Sequence, residues 1–133
     1  MFLLDTNVCV DFLAGNGRVS EHLVALEQAE VYLSAITIGE MAYGAMRSSR
    51  PAEEILRLQR LMADATVLPV DVRVSLEYGI LKSQLAASGQ LLEDNDLFIA
   101  STAISHGLIL VTHDKGFSRI PNLRIEDWLE GEL

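Results

Sequence analysis

Two acidic residues follow the most apolar short runs of the sequence. Asp5 comes directly after the run 2–4, and Asp114 follows the run 108–111 after Thr112 and His113. If these runs are neighbouring parallel strands, both carboxylates lie beyond the carboxyl ends of the strands, where open α/β sheets bind their ligands. Taken alone, either acid is explained equally well as a helix N-cap or a turn residue.

Two further acids, Glu40 and Asp96, are predicted to lie on the inward faces of helices. At helical spacing none of their neighbours is basic: Glu40 has Ile36, Tyr43 and Gly44, and Asp96 has Leu92, Ile99 and Ala100. An unpaired carboxylate in such a place is destabilising unless something compensates its charge. The alternatives are an N-capping role for Asp96, which Asp94 or Asn95 fills equally well, and a hydrogen bond from a distant arginine to Glu40.

Four carboxylates in one pocket repel each other and raise each other's proton affinity, and a hard divalent cation resolves that conflict. Carboxylate oxygens suit Mg²⁺ or Mn²⁺, whereas zinc calls for closely spaced histidines or cysteines. The three histidines are scattered, although His113 adjoins Asp114, and the single cysteine, Cys9, is expected to be a small buried side chain. The pattern therefore predicts a magnesium or manganese site.

Short apolar runs alternate with longer segments of helical periodicity along the chain, which indicates an α/β fold with a mostly parallel sheet of about five strands. The runs at 2–4 and 108–111 are the most apolar, so we place them as neighbouring central strands. The last clear helix is predicted from Asn95 to His106, with Gly107 as its stop signal. The other expected strands lie at 31–33, 67–68 and 123–125.

The chain has 133 residues and a formal net charge of −9. This length fits a single domain over 1–133, and a lone cysteine excludes a disulfide framework. No apolar run approaches the length of a membrane span, so we expect a soluble, cytoplasmic protein that does not contact membranes. The acidic balance argues against broad nonspecific binding of nucleic acid, although removing the four candidate acids reduces the net charge to −5.

Four segments in this order resemble the motifs of the PIN-domain nucleases, and most closely those of the VapC toxins of toxin–antitoxin modules. The resemblance covers essentially the whole chain and is carried by Leu3-Leu4-Asp5-Thr6-Asn7, Thr37-Ile38-Gly39-Glu40, Asp94-Asn95-Asp96-Leu97-Phe98-Ile99-Ala100 and Val111-Thr112-His113-Asp114. It implies the three-layer sandwich of that family, with helices on both sides of the sheet.

The resemblance implies a Mg²⁺- or Mn²⁺-dependent endoribonuclease in which Asp5, Glu40, Asp96 and Asp114 hold the metal. It also implies that Asn7 and Thr112 are polar groups supporting the carboxylates, and that Asp94 is a peripheral acid. The implied partners are an RNA substrate, a VapB-type antitoxin that covers the catalytic groove, and a second copy of the chain in a homodimer. Many VapC sequences carry a longer Asn-rich segment where this chain has the stretch 113–117.

Three other functions fit the same outline of a small acidic α/β domain. A response-regulator receiver needs a pair of adjacent acids after its first strand, whereas Asp5 is followed by Thr6. A haloacid-dehalogenase-like phosphatase needs a second aspartate two residues after the first, where this chain has Asn7. The third alternative is a catalytically silent PIN-like module that acts only by binding a protein or RNA partner, and a missing acid would indicate it.

Overall fold

The computed structural model describes residues 1–129 as a five-stranded sheet with helices on both faces. In chain order the elements are β1 (Phe2–Leu4), α1 (Thr6–Leu13), α2 (Gly17–Val24), β2 (Val31–Ser34), α3 (Ala35–Met46), α4 (Pro51–Ala63), β3 (Thr66–Leu68), α5 (Val72–Ala87), α6 (Asp94–His106), β4 (Ile109–Val111) and β5 (Ile125–Glu126). Short 3₁₀ turns at Gln28–Glu30 and Lys115–Arg119 complete the set. The expected α/β sandwich is confirmed.

The strand order in the sheet is β3-β2-β1-β4-β5, and the strand pairs among the described residues are all parallel. From β1 the chain adds β2 and β3 on one side, and then returns to add β4 and β5 on the other. The order of the strands therefore reverses between β1 and β4, which confirms that these two strands are neighbours at the centre. A crevice opens at such a reversal, beyond the carboxyl ends of the strands.

Successive residues of the central strands point to opposite faces, and each face has its own core. Leu3 and Leu110 pack with side chains of α5 and α6, while Leu4 and Val111 pack with side chains of α1 to α4. All four strand side chains are fully buried. Short apolar strands of this kind are stable only between two helical layers, which explains why the sequence reads as continuous rather than alternating hydrophobicity.

Local signals in the sequence set the helix ends. Ser34 caps α3 through a hydrogen bond from the N–H of Ile36, and Pro51 occupies the first turn of α4. Gly107 ends α6 in the left-handed conformation at φ 64°, as its position in the sequence predicted. The last strand differs from its predicted span of 123–125, because a turn with positive φ at Asn122 delays the pairing with β4 until Ile125.

Among residues 1–129, no helix is both long enough and apolar enough to cross a membrane.

Candidate active site

Asp5 lies at the centre of the site because β1 ends there and α1 begins there. Its side chain is only 4 % exposed and caps α1, with Oδ1 accepting a 2.8 Å hydrogen bond from the N–H of Thr6. Oδ2 accepts a 2.8 Å hydrogen bond from the hydroxyl of Thr112. Burial raises the pKa of Asp5, the two hydrogen bonds lower it, and the nearby carboxylates of Asp114 and Glu40 raise it further.

Thr112 connects Asp5 to Asp114 at the end of β4. Its hydroxyl donates to Asp5 and accepts a 3.0 Å hydrogen bond from the backbone N–H of Asp114. The Asp114 side chain is exposed and caps the 3₁₀ turn that follows, with Oδ1 accepting a 2.9 Å hydrogen bond from the N–H of Gly116. One buried hydroxyl therefore links the carboxyl ends of the two central strands.

Glu40 reaches the same place from α3, through a hydrogen bond that no motif in the sequence specified. The hydroxyl of Thr6 donates to Oε1 of Glu40 at 2.7 Å, and lies 3.1 Å from the hydroxyl of Thr37. Thr37 stands one turn before Glu40 on the same helix and is fully buried. The partner of Glu40 in the described part of the chain is thus a threonine, and the alternative of a distant arginine is wrong.

Asp96 lies in the first turn of α6, half-buried. Burial raises its pKa from 3.8 to about 6, and the negative charges of Asp5, Asp114, Glu40 and Glu93 add to that shift. The alternative of an N-capping role for Asp96 is wrong, because Glu93 stands at the cap position and the helix begins at Asp94, two residues before Asp96. The four acids selected from the sequence therefore share one electrostatic environment, although they come from four different elements.

Their arrangement suits a cation that keeps water in its coordination shell. Within residues 1–129, no three histidine, cysteine, aspartate or glutamate side chains are close enough to hold an ion by themselves. Mg²⁺ is characteristically bound through one or two carboxylates, with waters and substrate phosphates completing its octahedron. The carboxylate donors and the raised pKa of Asp5 and Asp96 fit such an ion, since a divalent cation would relieve their mutual repulsion.

The structure separates two of the predicted supporting residues from this environment. Asn7 is exposed on α1, and its amide forms no hydrogen bond with the four acids in the described residues. Asp94 is exposed and accepts hydrogen bonds from Tyr78 at 2.7 Å and Lys82 at 2.9 Å. The hydrogen bond from Lys82, followed by that from Tyr78, lowers the pKa of Asp94. Of the three predicted supporting residues, Thr112 contacts a carboxylate of the site.

Sequence reasoning missed Thr6 and Thr37, although both stand inside the motifs that it quoted. Thr6 follows Asp5 immediately. Thr37 precedes Glu40 by three residues, which places Thr37 and Glu40 on one face of α3. A threonine one helical turn from an unpaired inward glutamate is a signal that could have been read. Its partner on α1 could not, because the contact spans 34 positions of the chain.

A cleft between α1, α3 and α4 opens beside Glu40. It has a volume of about 330 Å³ and is lined mainly by apolar side chains, with Thr6, Glu40, Ser48, Glu54 and Arg57 as its charged and polar members. Arg57 forms a 3.3 Å ion pair with Glu54. The cleft therefore brings a cation and an apolar wall to the edge of the acidic site.

Cys9 and His113 lie close to the acids without joining them. Cys9 is fully buried on α1, as predicted, and burial raises the pKa of its thiol well above the usual range. Nδ1 of His113 lies 3.8 Å from Oδ2 of Asp11, and in the described structure both atoms are buried without a hydrogen bond. Neither residue supplies an exposed nucleophile.

Comparisons with known proteins identify the family to which the chain is similar. The family model described as "PIN domain" matches residues 2–123. The tRNA(fMet)-specific endonuclease VapC of Salmonella typhimurium is 32% identical over 128 residues, which cover 96% of this chain and 97% of that protein.

Solved structures give the same result. In the DNA-bound VapBC complex of Salmonella typhimurium, the matching chain has a TM-score of 0.91 at 32% identity, with 96% of this chain and 97% of that one covered. In the VapBC2 complex of Rickettsia felis bound to a promoter DNA fragment, the matching chain has a TM-score of 0.90 at 29% identity, with 96% and 98% covered. Both similarities extend over nearly the whole of each chain.

Proposed function

The chain belongs to the PIN domain family, and from that premise we propose that it is a divalent-metal-dependent endoribonuclease, the toxin of a toxin–antitoxin pair. The observation that carries this proposal is the meeting of four acids from four elements at the carboxyl ends of the strands, where burial and the neighbouring carboxylates raise the pKa of Asp5 and Asp96. Relatives that match nearly the whole chain are named as ribonucleases and occur in VapBC complexes. We further propose that residues 1–133 form one PIN domain, of which 130–133 lie outside the described residues.

Asp5, Glu40, Asp96 and Asp114 are the residues that we propose hold Mg²⁺ or Mn²⁺. When bound, such a cation supplies a nucleophilic water at neutral pH and stabilises charge on the reacting phosphate. Asp5 is the central ligand in this proposal, because each of its oxygens accepts one hydrogen bond and keeps a further lone pair. Asp114, which is exposed, is placed to orient a water or a second cation on the open side.

The carboxylates of Asp96 and Glu40 are the candidates for holding the proton of the attacking water. Asp96 suits this role because it lies among the other three acids, and a bound cation would keep its carboxylate deprotonated and able to accept a hydrogen bond from that water. Thr112 keeps Asp5 oriented through its hydroxyl. The nucleophile in this proposal is water, so hydrolysis proceeds without a covalent enzyme intermediate.

The partners that we propose are RNA and a VapB-type antitoxin. The first RNA to test is a tRNA, because the Salmonella relative is named for its action on tRNA(fMet). The cleft beside Glu40 has an apolar wall and an acidic end, which suits an antitoxin segment with apolar side chains and one basic residue. Arg57 and Arg47 flank the same helix α3 and are candidates for phosphate contacts.

We propose a cytoplasmic homodimer, in agreement with the lone buried cysteine and an RNA substrate. Tyr43 and Met46 of α3 are 65 % and 64 % exposed, and we propose that these apolar side chains belong to the dimer face. Size-exclusion chromatography with light scattering tests this assembly. A monomer at micromolar concentration would contradict it.

The decisive experiment is RNA cleavage by the purified chain, separated from any antitoxin. We expect cleavage of tRNA in Mg²⁺ or Mn²⁺, none in EDTA, and recovery when the metal is restored. Asp5→Asn and Asp96→Asn should abolish cleavage with an unchanged circular dichroism spectrum. Asp64→Asn is the matched control. This exposed acid follows α4 and precedes the amino end of β3, whereas the four acids lie beyond the carboxyl ends of the strands.

The catalytically silent module remains the alternative function. Binding of RNA or of an antitoxin without any cleavage in either metal, by a chain with all four acids intact, would favour it. Full activity of both Asp5→Asn and Asp96→Asn would instead show that the catalytic site lies elsewhere. Sequencing the cleaved ends of total RNA after expression then identifies the target.

A further inference from the structure

Thr6 forms hydrogen bonds with both Asp5 and Glu40. Its backbone N–H holds Oδ1 of Asp5 at 2.8 Å, while its hydroxyl holds Oε1 of Glu40 at 2.7 Å. A single residue at the start of α1 thus contacts carboxylates from two different elements. Within residues 1–129, the hydrogen bond that the Glu40 side chain accepts is the one from Thr6.

The direction of each hydrogen bond follows from the chemistry of the groups. An ionised carboxylate only accepts, and a threonine hydroxyl has one proton to donate. The proton of Thr6 therefore goes to Glu40, and the oxygen of Thr6 is left to accept from the hydroxyl of Thr37 at 3.1 Å. The result is a directed chain of hydrogen bonds from Thr37 through Thr6 to Glu40.

Thr37, the first residue of this hydrogen-bond series, is held rigidly by its surroundings. Its side chain is fully buried and β-branched, so packing holds it in one rotamer. A helical threonine usually donates to a backbone carbonyl one turn earlier, as Thr102 does to the carbonyl of Phe98 at 2.8 Å. Thr37 instead points its hydroxyl across the interface between α3 and α1.

We propose that Thr6, held by Thr37, is a positioning residue that fixes the Glu40 carboxylate relative to Asp5 for the binding of a divalent cation. Glu40 has a long, flexible side chain and lies at the edge of an open cleft, so without this contact its carboxylate is free to turn away from the site. The inference rests on the proposed metal-dependent function. It assigns to Thr6 the supporting role that the family resemblance assigned to Asn7, whose side chain is exposed.

The test is a Mn²⁺ titration of the full-length chain, read by electron paramagnetic resonance of the free ion, so that it does not depend on catalysis. Partners that orient metal ligands typically contribute about 10- to 100-fold in metal affinity. We therefore expect Thr6→Val to weaken Mn²⁺ binding about tenfold or more. Thr6→Ser, which keeps the hydroxyl, should bind close to wild type, and Thr102→Val is the matched control for loss of a buried helical hydroxyl.

A double-mutant cycle distinguishes positioning from a general loss of structure. If Thr6 acts through Glu40, Thr6→Val should have no further effect on Mn²⁺ affinity in a Glu40→Ala background. Thr37→Val leaves Thr6 in place and should weaken Mn²⁺ binding less than Thr6→Val does. If Thr6→Val fails to fold, Thr37→Val provides an independent test. Wild-type affinity in Thr6→Val, equal weakening in Thr6→Ser, or full additivity with Glu40→Ala would overturn the inference.

The same data separate this inference from the proposed function. If the wild-type chain cleaves no RNA but its Mn²⁺ affinity depends on the Thr6 hydroxyl, the nuclease proposal fails and the positioning role stands. If the wild type cleaves RNA and Thr6→Val binds Mn²⁺ normally, the nuclease proposal stands and the positioning role fails. A wild type that binds no Mn²⁺ overturns the positioning role as well.

Discussion

The hydroxyl of Thr112 donates a 2.8 Å hydrogen bond to Oδ2 of Asp5, across 107 positions of the chain. The contact exists because β1 and β4 are parallel neighbours whose last residues, Leu4 and Val111, are in register. Asp5 is therefore buried at the point where the strand order reverses, with a dedicated donor on each carboxylate oxygen.

Replacing Thr112 with valine should destabilise the chain and impair the site together. The change removes the donor to a buried carboxylate oxygen and the acceptor for the N–H of Asp114. An unsatisfied buried polar group typically costs about 1–3 kcal/mol, so we expect a loss of that order in urea denaturation. Thr112→Ser should recover most of it, whereas a valine variant as stable as wild type would contradict the importance of this contact.

Asp96 makes the thermal stability of the metal-free chain depend on pH. Its pKa is raised to about 6 in the folded state, so the folded chain binds this proton more tightly than the unfolded chain does. The resulting contribution to stability is complete below the ordinary pKa of 3.8 and is lost as the pH rises through about 6. We expect the Tm in EDTA to fall between about pH 4 and about pH 7, and to fall less in Asp96→Asn.

Added Mn²⁺ should reverse this trend, because metal binds the deprotonated carboxylate. The Tm gained on adding Mn²⁺ is expected to grow as the pH rises through about 6, the pKa of Asp96. The same gain at acidic and neutral pH would indicate that Asp96 does not contact the ion. Differential scanning fluorimetry of wild type and Asp96→Asn in parallel provides the measurement.

Gly116 and Gly107 should respond differently to alanine. A Cβ at Gly116 would lie 3.2 Å from Oδ1 of Asp114 and 3.4 Å from Cδ2 of Leu92, so the Asp114 carboxylate must shift. We expect Gly116→Ala to lower RNA cleavage with little change in Tm. Gly107→Ala meets no atoms but is strained at φ 64°, so it should cost about 1 kcal/mol of stability and leave cleavage unchanged.

The reverse pattern in those two variants would show that Asp114 is not part of the site. A loss of cleavage in Gly116→Ala can be checked against Asp114→Asn, since both changes act on the same carboxylate. The two together should be no worse than Asp114→Asn alone.

Asp94 and Asp96 stand two residues apart and should differ sharply in their contribution. Asp94 is exposed and its charge is balanced by Lys82 at 2.9 Å, whereas Asp96 shares its surroundings with the other three acids. We expect Asp94→Asn to keep most of the RNA cleavage and Asp96→Asn to abolish it. Both variants are measured with the same tRNA and metal. An equal loss of cleavage in the two would contradict the prediction and show that Asp94 also acts in catalysis.

Much of the fold could be predicted from the chain alone, because its signals are local. Continuous apolar runs indicate strands covered on both faces, and Gly107 ended the last helix as its position predicted. The placement of the runs at 2–4 and 108–111 at the centre followed from their hydrophobicity and is confirmed by the pairing of Phe2 with Ile109. The last strand was misplaced by about two residues, because pairing there depends on a turn and on β4 rather than on its own sequence.

The four acids could also be selected from the sequence, because Glu40 and Asp96 have apolar neighbours at helical spacing and Asp5 and Asp114 follow the central strands. The residues that support those acids could not be predicted in this way. Asn7 and Thr6 are adjacent polar residues in the sequence, and only the packing of α3 against α1 turns the Thr6 hydroxyl to Glu40 and leaves Asn7 exposed. From the sequence, Asp94 was similarly expected to be an acid of the site. The structure shows that it instead accepts hydrogen bonds from Tyr78 and Lys82 of α5.

The amino-acid sequence therefore establishes which elements form and which charges need compensation, because hydrophobic periodicity and charge burial act over a few residues. Hydrogen bonds such as Thr112 to Asp5 and Thr6 to Glu40 join positions 107 and 34 residues apart. A hydrogen bond requires its donor and acceptor to be within about 3 Å, which only the register of the sheet and the packing of the helices can arrange.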